Sequence, residues 1–149
     1  MGDFAAKVAA FVGATKKEIK QVVVQSVVEL EAEAMMNLNK LTKRDTGNLI
    51  NSFTVTIGSP AMQVSAETMS EGVSAAAAAA GFELGQTIHL NVRAQYARRI
   101  EYGFVGVDSL GRYYDQQPRP YLRMASQNWD EIVSRNARRA QARAGFAQS

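Results

Sequence analysis

"TKKEIKQVVVQSVVELEAEAMMNLNKL", Thr15 to Leu41, decides the fold class. Ile19, Val23, Val27, Leu30, Ala34, Leu38 and Leu41 recur at spacings of three or four, the apolar stripe of an amphipathic helix. Thr15 followed by Glu18 has the spacing of a capping box, in which each side chain satisfies a free backbone N–H of the first turn. The pattern predicts a helix over residues 15–42, roughly 40 Å long. Val24, Val28 and Met35 add a second apolar row, which covers either another chain or the C-terminal helix of the same one. Gly13 weakens continuity upstream, so residues 3–12 read as a separate short helix.

Downstream the period changes from helical to alternating. "FTVTIGS" sets Phe53, Val55 and Ile57 against Thr54 and Thr56, a half-buried strand over 53–58. "AMQVSAE" predicts a weaker strand over 61–67, and "TIHLNVR" a third over 87–93. Short turns between such runs favour an antiparallel sheet. Residues 68–86 read as a flexible or inserted loop carrying Ala75–Ala80, which either form a short helix ended by Gly81 or order only in an assembly. Gly103 to Gln117 also reads as a loop. A C-terminal helix over 120–143 starts with Pro120 in its first turn and runs through Leu122, Ala125, Trp129, Ile132 and Val133. The expectation is one α+β domain over residues 1–149, with two helices packed on a small antiparallel sheet.

Charge is unevenly spread along the 149 residues. Residues 1–44 hold seven Lys/Arg and five Asp/Glu, 45–92 hold four acids and no base, and 93–149 hold ten arginines and five acids. A basic segment built only from arginine suggests planar pairing with carboxylate or phosphate, or simply a solvated helix face. Arg135, Arg138, Arg139 and Arg143 lie beside the apolar stripe of the last helix and are candidates to face DNA or a partner. No uncharged apolar run approaches the length of a membrane span, and the order of charges near the N-terminus does not fit an export signal. The absence of cysteine excludes disulfides, thiolate metal sites and a cysteine nucleophile. His89 is the single histidine, inside a strand, and no phosphate-binding glycine loop or nucleophile elbow occurs. Neither an enzyme nor a cofactor or metal site is therefore expected. A free basic nucleic-acid-binding protein remains the alternative from another class, since tyrosines near arginines can stack bases.

Three blocks in a fixed order resemble one family. "DTGNLINSF" (Asp45–Phe53) follows the long helix, "YARRIEYGF" (Tyr96–Phe104) follows the last strand, and "RPYLRMA" (Arg119–Ala125) opens the final helix. Together they resemble the small neck or tail-completion proteins of lambda-like long-tailed bacteriophages. The matching positions are Thr46 and Gly47; Tyr96, Ala97, Glu101 and Gly103; and Arg119, Pro120, Tyr121 and Leu122. Residues Thr68–Gly85 form a longer connection than such proteins usually have. The resemblance implies a structural virion protein at the head–tail junction, assembled in the host cytoplasm into a homo-oligomeric ring of six where it meets the tail. Genomic DNA would pass through the lumen. Implied partners are the head-closure or connector ring, the tail terminator or tube protein, and the end of the tape-measure protein. A tail terminator capping the tube is the alternative within the same setting. Thr46, Gly47, Tyr96, Arg98, Arg99, Glu101, Gly103, Arg119, Pro120 and Tyr121 are the expected subunit-interface residues. Tyr96 and Ile100, four apart, are expected on one face of a helical turn. Arg98, Arg99 and Glu101 then point away, and Gly103 ends the turn in a left-handed conformation.

Overall fold

The computed structural model describes residues 2–41, 46–62, 72–94 and 96–144. Helix α1 (Gly2–Leu41) leads into a short α2 (Thr46–Asn51) and strand β1 (Phe53–Ile57). Helix α3 (Ala75–Ala78), extended by a 3-10 turn at Ala79–Gly81, precedes β2 (Ile88–Val92) and α4 (Ala97–Tyr102). Strands β3 (Phe104–Val107) and β4 (Tyr113–Gln116) and helices α5 (Tyr121–Ser126) and α6 (Trp129–Ala144) complete the chain. The class is α+β, with a long N-terminal and a C-terminal helix and two antiparallel strand pairs.

The first helix is one 40-residue rod, not two helices, and spans roughly 60 Å. Thr15 and Glu18 therefore sit mid-helix and form no capping box. A glycine inside a helix costs only about 1 kcal/mol relative to alanine. Gly13 stands at an exposed position between alanines and lysines that propagate the helix across it. Among the described side chains of α1, the buried ones lie in the second half of the rod. Val27, Ala34 and Leu38 are buried, whereas Ile19, predicted on the same stripe, is 48% exposed. The second row is satisfied inside the chain: Val28 packs on the cluster of Val27, Val55 and Ala75, Met35 packs on the cluster around Leu38, and Val24 lines a small cavity with Val55 and Phe82.

β1 pairs antiparallel with β2, Phe53 opposite Val92 and Ile57 opposite Ile88. Of the strand expected over 61–67, Ala61 and Met62 are not in strand conformation, and the rest lies outside the described residues. Instead the chain at 72–73 lines the other side of β1. Val55 N–H donates to Val73 O at 2.8 Å, and Gly72 N–H donates to Asn51 O at 3.1 Å. This approach admits only glycine, because a Cβ on Gly72 would lie 1.7 Å from the carbonyl oxygen of Phe53.

The alanine run folds as a helix. Ser74 caps it by accepting the Ala77 N–H at 3.2 Å, and buried Ala75 donates its own N–H to Glu31 Oε1 at 3.3 Å. Burial pushes the Glu31 carboxyl above its ordinary range, offset in part by that N–H, and its other oxygen has no hydrogen-bond partner among the described residues.

The segment expected as a loop before the C-terminal helix contains the β3–β4 hairpin. Its turn is organised by Asp108, whose Oδ1 accepts the N–H groups of Leu110 and Arg112 at 2.9 Å each. Arg112 Nε donates to Oδ2 at 2.7 Å. The Arg112 N–H, its guanidinium and the Leu110 N–H hold the Asp108 carboxyl below its usual value despite some desolvation. The helix expected over 120–143 is in fact two. Pro120 is the cap residue before α5, not part of its first turn, and the chain tightens at Asn128, whose N–H bonds back to Ala125 O at 3.0 Å. That step lets Ala125 face the core while Asn128 Nδ2 donates to Glu33 on α1.

Candidate subunit interface

The blocks Tyr96–Phe104 and Arg119–Ala125 meet in space and build one rigid corner. Tyr96 and Ile100 both pack against the core cluster of Leu38, Leu49 and Phe53, as their spacing predicts. The next step departs from expectation, because Glu101 is 5% exposed and points inward. Its carboxylate accepts the backbone N–H groups of Leu122 at 3.0 Å and Arg123 at 2.9 Å. Arg123 Nε donates to the same carboxylate at 3.1 Å, and Arg123 Nη2 donates to the Glu101 carbonyl at 3.2 Å. Free N–H groups at a helix start favour a nearby anion, and Glu101 supplies one from another element. Arg123 is also stacked over Tyr102, 4.8 Å from the ring centre. A backbone bond from Arg119 N–H to Ile100 O, 2.7 Å, ties the two blocks again.

Tyr121 is likewise a core residue, 2% exposed and stacked on Phe53 with ring centres 6.1 Å apart. Burial first, then the neighbouring Glu101 and Tyr96, push its hydroxyl well above the ordinary phenol value. A side chain already enclosed by its own chain has no surface to offer a neighbour, so Glu101 and Tyr121 are removed from the expected contact set. Gly103 has φ +79° and ψ 170°, which is not the left-handed helical cap expected from sequence. Glycine is nevertheless required there, since a Cβ would lie 2.6 Å from Gln116 O and 3.0 Å from Pro118. Thr46 and Gly47 open α2.

Arg98, Arg99 and Arg119 remain exposed. The Arg99 guanidinium sits over the Phe104 ring, 4.0 Å from its centre, and so braces the hairpin. Arg98 borders an open groove of about 380 Å³ with Tyr102, Arg123 and Ser126.

The C-terminal arginines mostly face acids of α1. Glu29 receives Arg135 at 2.8 Å, Arg139 at 3.2 Å and Asn136 Nδ2 at 3.1 Å, and Arg143 comes within 3.8 Å of Glu18. Arg138 is exposed. Burial opposes ionisation of Glu29, but hydrogen bonds from Arg135, Asn136 and Gln25, with the Arg135 charge, together hold its carboxyl below the ordinary 4.5. Such a group stabilises the fold at pH above its unfolded value, and that contribution is lost as pH falls through its lowered folded value. Glu29→Gln is therefore expected to cost about 1 kcal/mol at neutral pH, a figure reduced for solvent screening. The gap from wild type should close as pH falls below about 4.5 in thermal unfolding followed across acid pH.

Two apolar surfaces stand outside the core, and sequence reading missed both. On the hairpin, Val105 lies opposite Asp115 and Val107 opposite Tyr113, so these four share one face. Val105 is 65% and Tyr113 68% exposed, and Leu110 at the turn is exposed as well. The other face holds Phe104 and Tyr114, with ring centres 6.3 Å apart. At the far end of α1, residues 4–8 are all exposed, including Phe4 and Val8. The alternation of Val105 and Val107 before Asp108, with an aromatic pair after Gly111, was the available signal for the hairpin.

Among the described residues no three acidic or histidine side chains converge as a metal site needs, and no helix is long and apolar enough to cross a membrane. No protein-family model, curated protein or solved structure matches the chain.

Proposed function

We propose that this chain is a structural virion subunit of a tailed phage, forming a ring at the junction of head and tail through which DNA passes. The observation that carries the reading is the corner itself. Two of the three blocks that resemble the neck family, fifteen residues apart in sequence between Phe104 and Arg119, are joined through Glu101 into one braced unit. A corner of this kind provides a fixed platform for a projecting hairpin, which suits a subunit joint. The ring would meet a head-closure or connector ring on one side and the tail terminator or tube on the other, with the tape-measure end nearby.

Electrostatics favour this reading over a free nucleic-acid-binding protein. Arg135, Arg139 and Arg143 already face Glu29 and Glu18, so the basic C-terminal segment presents less open charge for phosphate than its composition implies. Gold-labelled antibody against the chain, applied to intact and disrupted particles from the source lysate, tests the reading. Label at the head–tail junction is the expected result. Bare particles in both preparations would overturn it, and tight, salt-sensitive binding of the isolated chain to DNA would then support the other class.

A further inference from the structure

We infer that the exposed hairpin face of one copy docks on the N-terminal end of α1 of a second copy, in a head-to-tail contact. Among the described residues nothing of the same chain covers either surface. Among the described residues β3 and β4 pair only with each other, and an isolated two-stranded hairpin is marginally stable in water. Here it presents Val105, Val107 and Tyr113 to solvent on one side. At the other end, α1 runs on past the point where Arg143 reaches Glu18, carrying exposed Phe4 and Val8 four residues apart on one helix face.

The two surfaces cannot meet in one molecule. The hairpin rises directly from α4, whose Ala97 and Ile100 pack on the cluster containing Leu38. Phe4 lies 34 residues from Leu38 along an unbroken helix, roughly 50 Å away, while a four-residue strand reaches only about 13 Å. A contact between two different patches of the same chain is heterologous, and such a contact generates a closed ring or an open filament.

Charge agrees with this pairing. Residues 2–17 contain Lys7, Lys16 and Lys17 against Asp3, so this end of α1 carries a net positive charge. In the hairpin Arg112 is taken up by Asp108, which leaves Asp115 on the apolar face, opposite Val105. An acid within one patch and net positive charge along the other segment set the register of docking more than its strength.

The inference deepens the proposed ring and rests on that reading for its biological setting, but its test is independent. Sedimentation velocity of the full chain at rising concentration is compared with Val107→Glu and with Val8→Glu, both at exposed positions where thermal unfolding should match wild type. Wild type is expected to form species larger than a dimer, and each variant alone is expected to associate at least about tenfold more weakly. An equimolar mixture of the two variants should form dimers and nothing larger, because each mixed pair retains one intact contact. The natural absence of cysteine permits a second readout. Val105→Cys mixed with Val8→Cys should yield a mixed disulfide, with neither variant forming a dimer alone. A wild type that stays monomeric, variants that assemble like wild type, or a hairpin-cysteine variant that crosslinks to itself would each overturn the contact. Any of these with label at the junction discards this contact and keeps the neck role. Bare particles discard the neck role whatever the association shows.

Discussion

Replacing Tyr121 by alanine is expected to destabilise the isolated chain by about 3–5 kcal/mol, the range for truncating a large buried aromatic. The ring is enclosed by the chain, stacks on Phe53 and belongs to the cluster that joins α1 to α4 and α5. Removing it deletes transfer free energy and leaves a cavity that Leu38 and Leu49, both buried and held by their own helices, fill only in part. At about 2–4 °C per kcal/mol for a chain of this size, the midpoint of thermal unfolding should fall by on the order of 10 °C. The alternative role, a tyrosine that only contacts a neighbouring subunit, predicts unchanged monomer stability and lost assembly. Thermal and urea unfolding of the monomer therefore separate the two, and an unchanged midpoint would contradict the burial described above.

The second large effect is at Glu101. Glu101→Ala should cost about 3 kcal/mol, since it leaves the Leu122 and Arg123 N–H groups and the Arg123 guanidinium without their shared acceptor. Glu101→Gln should cost roughly half as much, because one side-chain oxygen still accepts while the amide N–H₂ opposes the other donor. The hairpin starts three residues after Glu101 and is braced by Arg99 from the same short helix. Loosening the corner should therefore raise amide hydrogen exchange in β3 and β4 as well as lower global stability. Exchange confined to α5, with the hairpin unchanged, would mean that the platform does not transmit order to it.

Glu101 also marks the boundary between local and long-range information in this chain. Period alone was enough for α1 from Thr15 onward, for β1, for β2 and for the apolar stripe of the last helices, because contrast between buried and exposed faces repeats along each element. Composition alone removed cysteine chemistry. The α+β class followed from these periods.

What tertiary structure decided were the destinations of charged and aromatic side chains. In "RRIEY" the glutamate follows two arginines and reads as a solvated corner. Its inward turn depends on N–H donors that arrive only with Leu122 and Arg123, some twenty residues later. The C-terminal arginines read as an open basic face until α6 lies along α1 and sets Arg135 and Arg139 on Glu29, more than a hundred residues away in sequence. Gly13 reads as a helix break because a local rule weighs one residue, whereas the cooperative helix on both sides absorbs its cost. Local pattern records which residues avoid water. Which donor meets which acceptor is set only when distant elements pack, and among the described residues that packing leaves apolar side chains exposed on the hairpin and at the N-terminal end of α1.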